Sequence, residues 1–200
     1  MSAEFIEKHT DKFYELVSQH NEALVAELAK VGVDVQSISF LGAVGRPPLT
    51  DEAIDLLTKR LFERNYFHPR VEDGFRAAIA RSLDVKGSLK YFDEYVREYE
   101  QEPNVEAYSG YSSSAKDGLA SLIASLCRID KKRLPDLLKL ARNKENGDTR
   151  AYFIYALYKM GYDEYLQEFL NDPELQLAAQ NYLDTRRKNS EKRAKHKKAI

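Results

Sequence analysis

Cysteine, tryptophan, glycine and proline are all scarce in this chain. A single cysteine, Cys127, excludes an internal disulfide and a metal site built from cysteines, and it fits a reducing compartment. Nine glycines and six prolines fall mostly between apolar-periodic stretches, which leaves long segments free to be helical. No window approaches the roughly 20 apolar residues that a membrane span needs. The opening MSAEFIEKHTDK has no apolar run of the secretory kind. The expected location is the cytoplasm.

Ala, Leu, Glu, Lys and Arg are abundant instead. Hydrophobic residues make up 43% and charged residues 32% of the 200, the balance of a globular chain with a core and a heavily charged surface. The net charge of −1 hides an asymmetry. Residues 186–200, RRKNSEKRAKHKKAI, hold eight Lys/Arg and one Glu, against 23 basic and 31 acidic residues elsewhere, a net of −8. An acidic body carries a basic tail.

Apolar residues recur at helical spacing almost throughout. Residues 2–31 predict one long helix on Phe5, His9, Phe13, Leu16, Val17, His20, Leu24 and Leu28, closed at Gly32. VDVQSISFLGAVGRPPL then reads as an extended segment stopped by Pro47-Pro48. Thr50 caps the second helix, with Asp51 and Glu52 in its first turn. Pro69 opens the third, and residues 87–101 form the fourth. Ser114 and Asp117 have capping-box spacing before the fifth. Leu134-Pro135 restarts the chain as a sixth, Asn146-Gly147 turns it into the seventh, Gly161 into the eighth, and Asp172-Pro173 into the ninth. Residues 186–200 have no apolar stripe and are expected to fray.

A repeat runs through this order. DGFRAAIARSL (Asp73 to Leu83) aligns without gaps on DGLASLIASLC (Asp117 to Cys127), 44 residues on. RAYFIYALYKM (Arg150 to Met160) keeps the apolar spacing 33 residues later. Helix pairs at such periods cannot bury their apolar faces alone, so neighbours stack. The expected fold is all-α, an α-α superhelix of about four antiparallel helix pairs behind a long first helix. Residues 1–185 form one domain, with 1–49 the first helix and linker and 50–185 the repeats, and 186–200 the basic tail.

HPRVEDGFRAAIARSL and GDTRAYFIYALYKMGYDEYLQEFLNDPEL resemble HEAT-repeat helices, and the whole is similar to small bacterial HEAT-like proteins that begin with a long helix. The resemblance covers 50–185 well and 1–49 loosely. It implies a HEAT/armadillo-like solenoid whose second helices line a concave binding surface. It transfers no catalytic residue. Tyr152 and Tyr155 stand where the family has small aliphatic residues.

Candidate chemistry is thin. His9, His20, His68 and His196 include no pair at i, i+3 or i, i+4, so none shares a helix face as metal ligands do. His9 and His20 read as packing residues on the first helix, and Cys127 as a buried thiol. Gly42-Ala-Val-Gly45-Arg46 lacks the Lys-Ser/Thr of a phosphate loop and reads as a turn. Thirteen tyrosines are the most suggestive feature, and Tyr91, Tyr95 and Tyr165 lie beside core stripes as candidate partner contacts. The function expected is a non-enzymatic scaffold binding a protein partner, with no cofactor and no metal. The alternative is nucleic-acid binding through the basic tail, in the manner of a HEAT-like DNA glycosylase, which the acidic body disfavours.

Overall fold

The computed structural model describes the backbone of residues 3–43, 45–64, 69–104 and 114–198, and the side chains of 15–43, 45–64, 72–104 and 114–194. Every regular element among the described residues is helical. The fold class is all-α. The chain divides into two compact units, Met1–Leu126 and Cys127–Ile200, where the sequence reading has one repeat domain over 1–185.

The first unit contains α1 (Ala3–Lys30), α2 (Asp51–Phe62), α3 (Pro69–Ser82), α4 (Phe92–Gln101) and most of α5 (Ala115–Ile129). α1 ends where Gly32 takes φ +82°, the left-handed backbone that closes a helix. Leu24 and Leu28 on its inner face are buried. The segment expected to be extended instead makes a 3₁₀ turn at Ile38–Gly42. Asn21 on α1 explains why: its Oδ1 accepts from the Ile38 N–H at 3.0 Å and from Ser37 Oγ at 2.9 Å. A side chain 17 residues away sets the turn.

Thr50 caps α2 by accepting the Ala53 N–H at 3.1 Å. α2 packs on α3 with Ile54, Leu57 and Leu61 buried. The fourth helix is shorter than expected, because Lys86–Tyr91 is a 3₁₀ turn preceding α4. Gly87 in that turn sits against α2, and a Cβ there would lie 2.6 Å from Ile54 Cδ1. The capping box holds: Asp117 N–H donates to Ser114 Oγ at 3.1 Å, and Ser114 N–H donates to Asp117 Oδ2 at 2.9 Å. α5 crosses α3 at backbone contact, since a Cβ on Gly118 would lie 2.6 Å from Ala77 Cα.

The second unit takes the end of α5, then α6 (Leu134–Arg142), α7 (Arg150–Met160), α8 (Asp163–Glu168) and α9 (Gln176–Lys198). α6 packs on α7, and α7 on both α8 and α9. Gly161 ends α7 at φ +88°. Asp172 starts the way into α9, its Oδ1 accepting the Glu174 N–H at 3.1 Å and its carbonyl the Gln176 N–H at 2.8 Å.

The expected fraying after residue 185 is corrected: α9 continues to Lys198. Lys, Arg, Glu and Ala are good helix formers without an apolar stripe. Asp184 and Arg187 add an i, i+3 ion pair at 3.2 Å.

Candidate functional site

The three candidate tyrosines have different fates. Tyr95 is corrected: it is fully buried, its hydroxyl 2.6 Å from Thr58 Oγ1 on α2, and burial pushes the phenol up to about 12. A phenol with no exposed surface packs the core and contacts no partner. The buried face of α4 is Phe92, Tyr95 and Tyr99, with Val96 at its half-buried edge.

Tyr91 is half-buried at the end of the 3₁₀ turn. Its hydroxyl donates to Asp55 Oδ1 at 2.9 Å, and the same carboxylate pairs with Lys90 Nζ at 2.5 Å. Lys90 and then Tyr91 hold the Asp55 carboxyl below its usual range by hydrogen bonding. Tyr165 belongs to the second unit, half-buried and edge-on to Tyr162 at 5.9 Å. Tyr91 and Tyr95 are thus neighbours, at 6.3 Å between ring centroids, but only Tyr91 has surface to offer.

The other sequence candidates resolve into structure. His20 lines a narrow recess of about 140 Å³ beside Phe75, its ring 5.9 Å from that ring. His68 and the side chains of His9 and His196 lie outside the described residues. Cys127 is buried, which pushes its thiol up to about 12, and its Sγ lies 3.6 Å from the Arg133 carbonyl. Arg46 donates to the carbonyls of Leu41 at 2.7 Å and Ser82 at 2.9 Å, and pairs with Asp84. A guanidinium spent on chain carbonyls is a structural cross-link, the reverse of a phosphate cradle.

Two features escaped the sequence reading. The first is a charge network in the first unit. Arg76 on α3 is 1% exposed; it donates to the Leu61 carbonyl at 2.8 Å and pairs with Glu98 and Glu102, both at 2.6 Å. Arg64 joins the same two carboxylates at 2.9 and 2.7 Å. Lys116 donates to the Glu102 carbonyl at 2.9 Å and lies 5.1 Å over the Tyr99 ring, and burial lowers its pKa. Burial also raises the Asp73 carboxyl above its ordinary range. Every cation in this network has its partners inside the helix packing.

The second is the surface that remains. Phe40 is 54% exposed beside a recess of about 490 Å³ lined by Asp34, Val35, Ala43, Arg46 and Pro47. In the second unit Tyr155 is 38% exposed and heads a cluster with Tyr158 and Tyr182. Exposed apolar residues carry no periodic signal, because a 3₁₀ turn and a helix crossing decide which side faces out.

Among the described residues no group of His, Cys, Asp and Glu is arranged to hold a metal ion, and no helix is long and apolar enough to cross a membrane. No protein-family model, curated protein or solved structure matches this chain.

Proposed function

We propose that this chain is a non-enzymatic interaction module that binds a protein partner, the first unit offering its contact surface at Phe40. The observation that carries the reading is Phe40 itself, a large apolar side chain left more than half exposed on the rim of a 490 Å³ recess. A recess of that size accepts an apolar anchor from a partner, and buried anchors dominate interface energetics. The first unit holds 21 acidic and 14 basic residues, so the partner segment complementary to it is basic around its anchor. The buried titratable groups described above are committed to helix packing, which supports binding by shape in preference to chemistry. Tyr91, tied to Asp55, is a second contact candidate on the same unit.

The test is an affinity capture from the source cells with the full chain and with Phe40→Asp and Tyr91→Ala. A protein retained in stoichiometric amount by the wild type and lost with Phe40→Asp supports the reading. Loss with Tyr91→Ala as well extends the surface to that patch. A partner retained by both variants sinks it.

A further inference from the structure

The second unit carries a surface of different chemistry, independent of the Phe40 recess. On α7 and α9, Tyr158 and Tyr182 stack with centroids 4.9 Å apart and planes 14° from parallel. Tyr155 packs against both, at 6.5 and 5.8 Å, and is the exposed member. Cations lie over these rings: Lys159 Nζ is 5.3 Å from the Tyr155 centroid, and the Arg186 guanidinium 4.9 Å from that of Tyr158. Arg186 also pairs with Asp163 at 2.9 Å and donates to the Tyr158 carbonyl, which fixes the root of the basic stretch against the unit.

From that root α9 runs on as one helix to Lys198. Arg187, Lys188, Lys192 and Arg193 are exposed along it. The second unit as a whole holds 17 basic and 11 acidic residues, a net of +6, against −7 for the first. Residues 127–185 hold nine basic and ten acidic residues, so the acidity that weighs against nucleic acid belongs almost wholly to the first unit, and the positive charge of the second lies in 186–200.

We propose that the second unit binds single-stranded nucleic acid, with a base stacked on Tyr155 and the sugar-phosphate backbone following the exposed cations of α9. Aromatic platforms next to a basic track are the chemistry by which single strands are held without sequence preference, since every base has a π-face. The competing occupants use only part of the surface. A membrane needs an apolar face on the helix, and between Arg186 and Lys198 Ala194 is the one aliphatic residue. An acidic protein answers the charge but has no repeating π-face to match a stacked aromatic cluster, and competition by poly-glutamate separates it from a strand. Duplex DNA keeps its bases stacked among themselves and offers Tyr155 nothing.

The test uses the full chain and fluorescence anisotropy with labelled rU20, dT20 and a duplex of 20 base pairs, across a salt series from 50 to 300 mM. The expected result is binding of the single strands in preference to the duplex, weakening linearly in log salt. Exchanging Arg187, Lys188, Lys192 and Arg193 together for Gln is expected to flatten the slope by about three, at roughly 0.7 per phosphate contact. Tyr155→Ala is expected to weaken binding about tenfold with the slope unchanged, and Tyr155→Phe to restore it. Preference for rU20 names RNA as the ligand, and equal binding of dT20 names any single strand. No binding at 50 mM salt overturns the proposal. So does duplex binding equal to single-strand binding with Tyr155→Ala neutral. Displacement of rU20 by poly-glutamate at equal charge concentration also overturns it, in favour of an acidic protein.

Discussion

Among the described side chains each unit buries one arginine to 1% exposure, Arg76 in the first and Arg150 in the second, and the two are used differently. Arg76 reaches from α3 to an open carbonyl at the end of α2, Leu61, and to two carboxylates on the last turns around α4, Glu98 and Glu102. It ties three helices at one end. Arg150, the first residue of α7, takes Asp172 bidentately at 2.7 and 3.2 Å, pairs with Glu174, and donates to the Gly147 carbonyl at 3.0 Å. It ties two turns. The Glu102 side chain is 5% exposed and that of Glu174 53% exposed. Both carboxylates that Arg76 holds are thus shielded from water, whereas one of the two that Arg150 holds is open to it. A guanidinium, with its five donors, satisfies helix-end carbonyls and carboxylates at once, which no aliphatic side chain does.

The largest expected effect is Arg76→Met. It strands Glu98 and Glu102 with only Arg64 left, and removing one partner of a buried pair costs about 3–5 kcal/mol. The same change at Arg150 strands one buried carboxylate, Asp172, and is expected to cost about half as much. Urea midpoints with constant m-values measure both, and equal costs would erase the distinction between closed and open networks.

Next comes Gly118→Ala, where a methyl meets Ala77 Cα at 2.6 Å, backbone that does not yield as a side chain does. Overpacking of this kind costs about 1–3 kcal/mol. Ala at Gly161 in the other unit meets only an ordinary contact, Arg186 Nη1 at 3.5 Å, and fails through its left-handed φ of +88°. Asn at Gly161 is therefore expected to recover part of the loss seen with Ala, and Asn at Gly118 to recover none.

Acid sharpens the contrast further. The Arg150 hydrogen bond holds Asp172 below the ordinary 3.8, so its contribution is present above that pH and lost as pH falls through the lower folded value. Burial raises Asp73 above 3.8, so it detracts from stability at neutral pH, and the deficit vanishes as pH falls through its raised folded value towards 3.8. Asp172→Asn is expected to lower the urea midpoint at pH 7 and by less at pH 3, below the ordinary 3.8. Asp73→Asn is expected to raise it at pH 7 and leave it unchanged at pH 3. The same sign for both at pH 7 would break the comparison.

The smallest effects separate buried from surface tyrosine. Tyr95→Phe removes a buried hydroxyl pair with Thr58 and is expected to cost about 1 kcal/mol. Tyr91→Phe breaks a surface bond to Asp55 and is expected to stay within about 0.5 kcal/mol.

The elements that local chemistry decides were legible in the sequence. Thr50, Gly32, Gly161 and the Ser114–Asp117 box cap where their residue types say. Elements decided by distant partners were not. The turn at Ile38 depends on Asn21, the burial of Tyr95 on Thr58 across 37 residues, and the burial of Arg76 on carboxylates 22 and 26 residues away. A charged residue in a helical pattern reads as surface, so both buried arginines were invisible. Of the candidate site, the tyrosine content was legible and the choice of exposed tyrosine was not. Tyr155 packs against Tyr158 and Tyr182 and is still 38% exposed, a balance set by the packing of α7 on α9 that no residue type announces.

Cys127 gives the chain an unplanned instrument. Its thiol is fully buried and pushed up to about 12, so at neutral pH it is both shielded and protonated, and a maleimide finds no thiolate to attack. A cysteine placed at position 187 would therefore take a dye alone, with no need to remove the native one. The rate at which Cys127 itself reacts, slow as it is, then counts each opening of the helix around it.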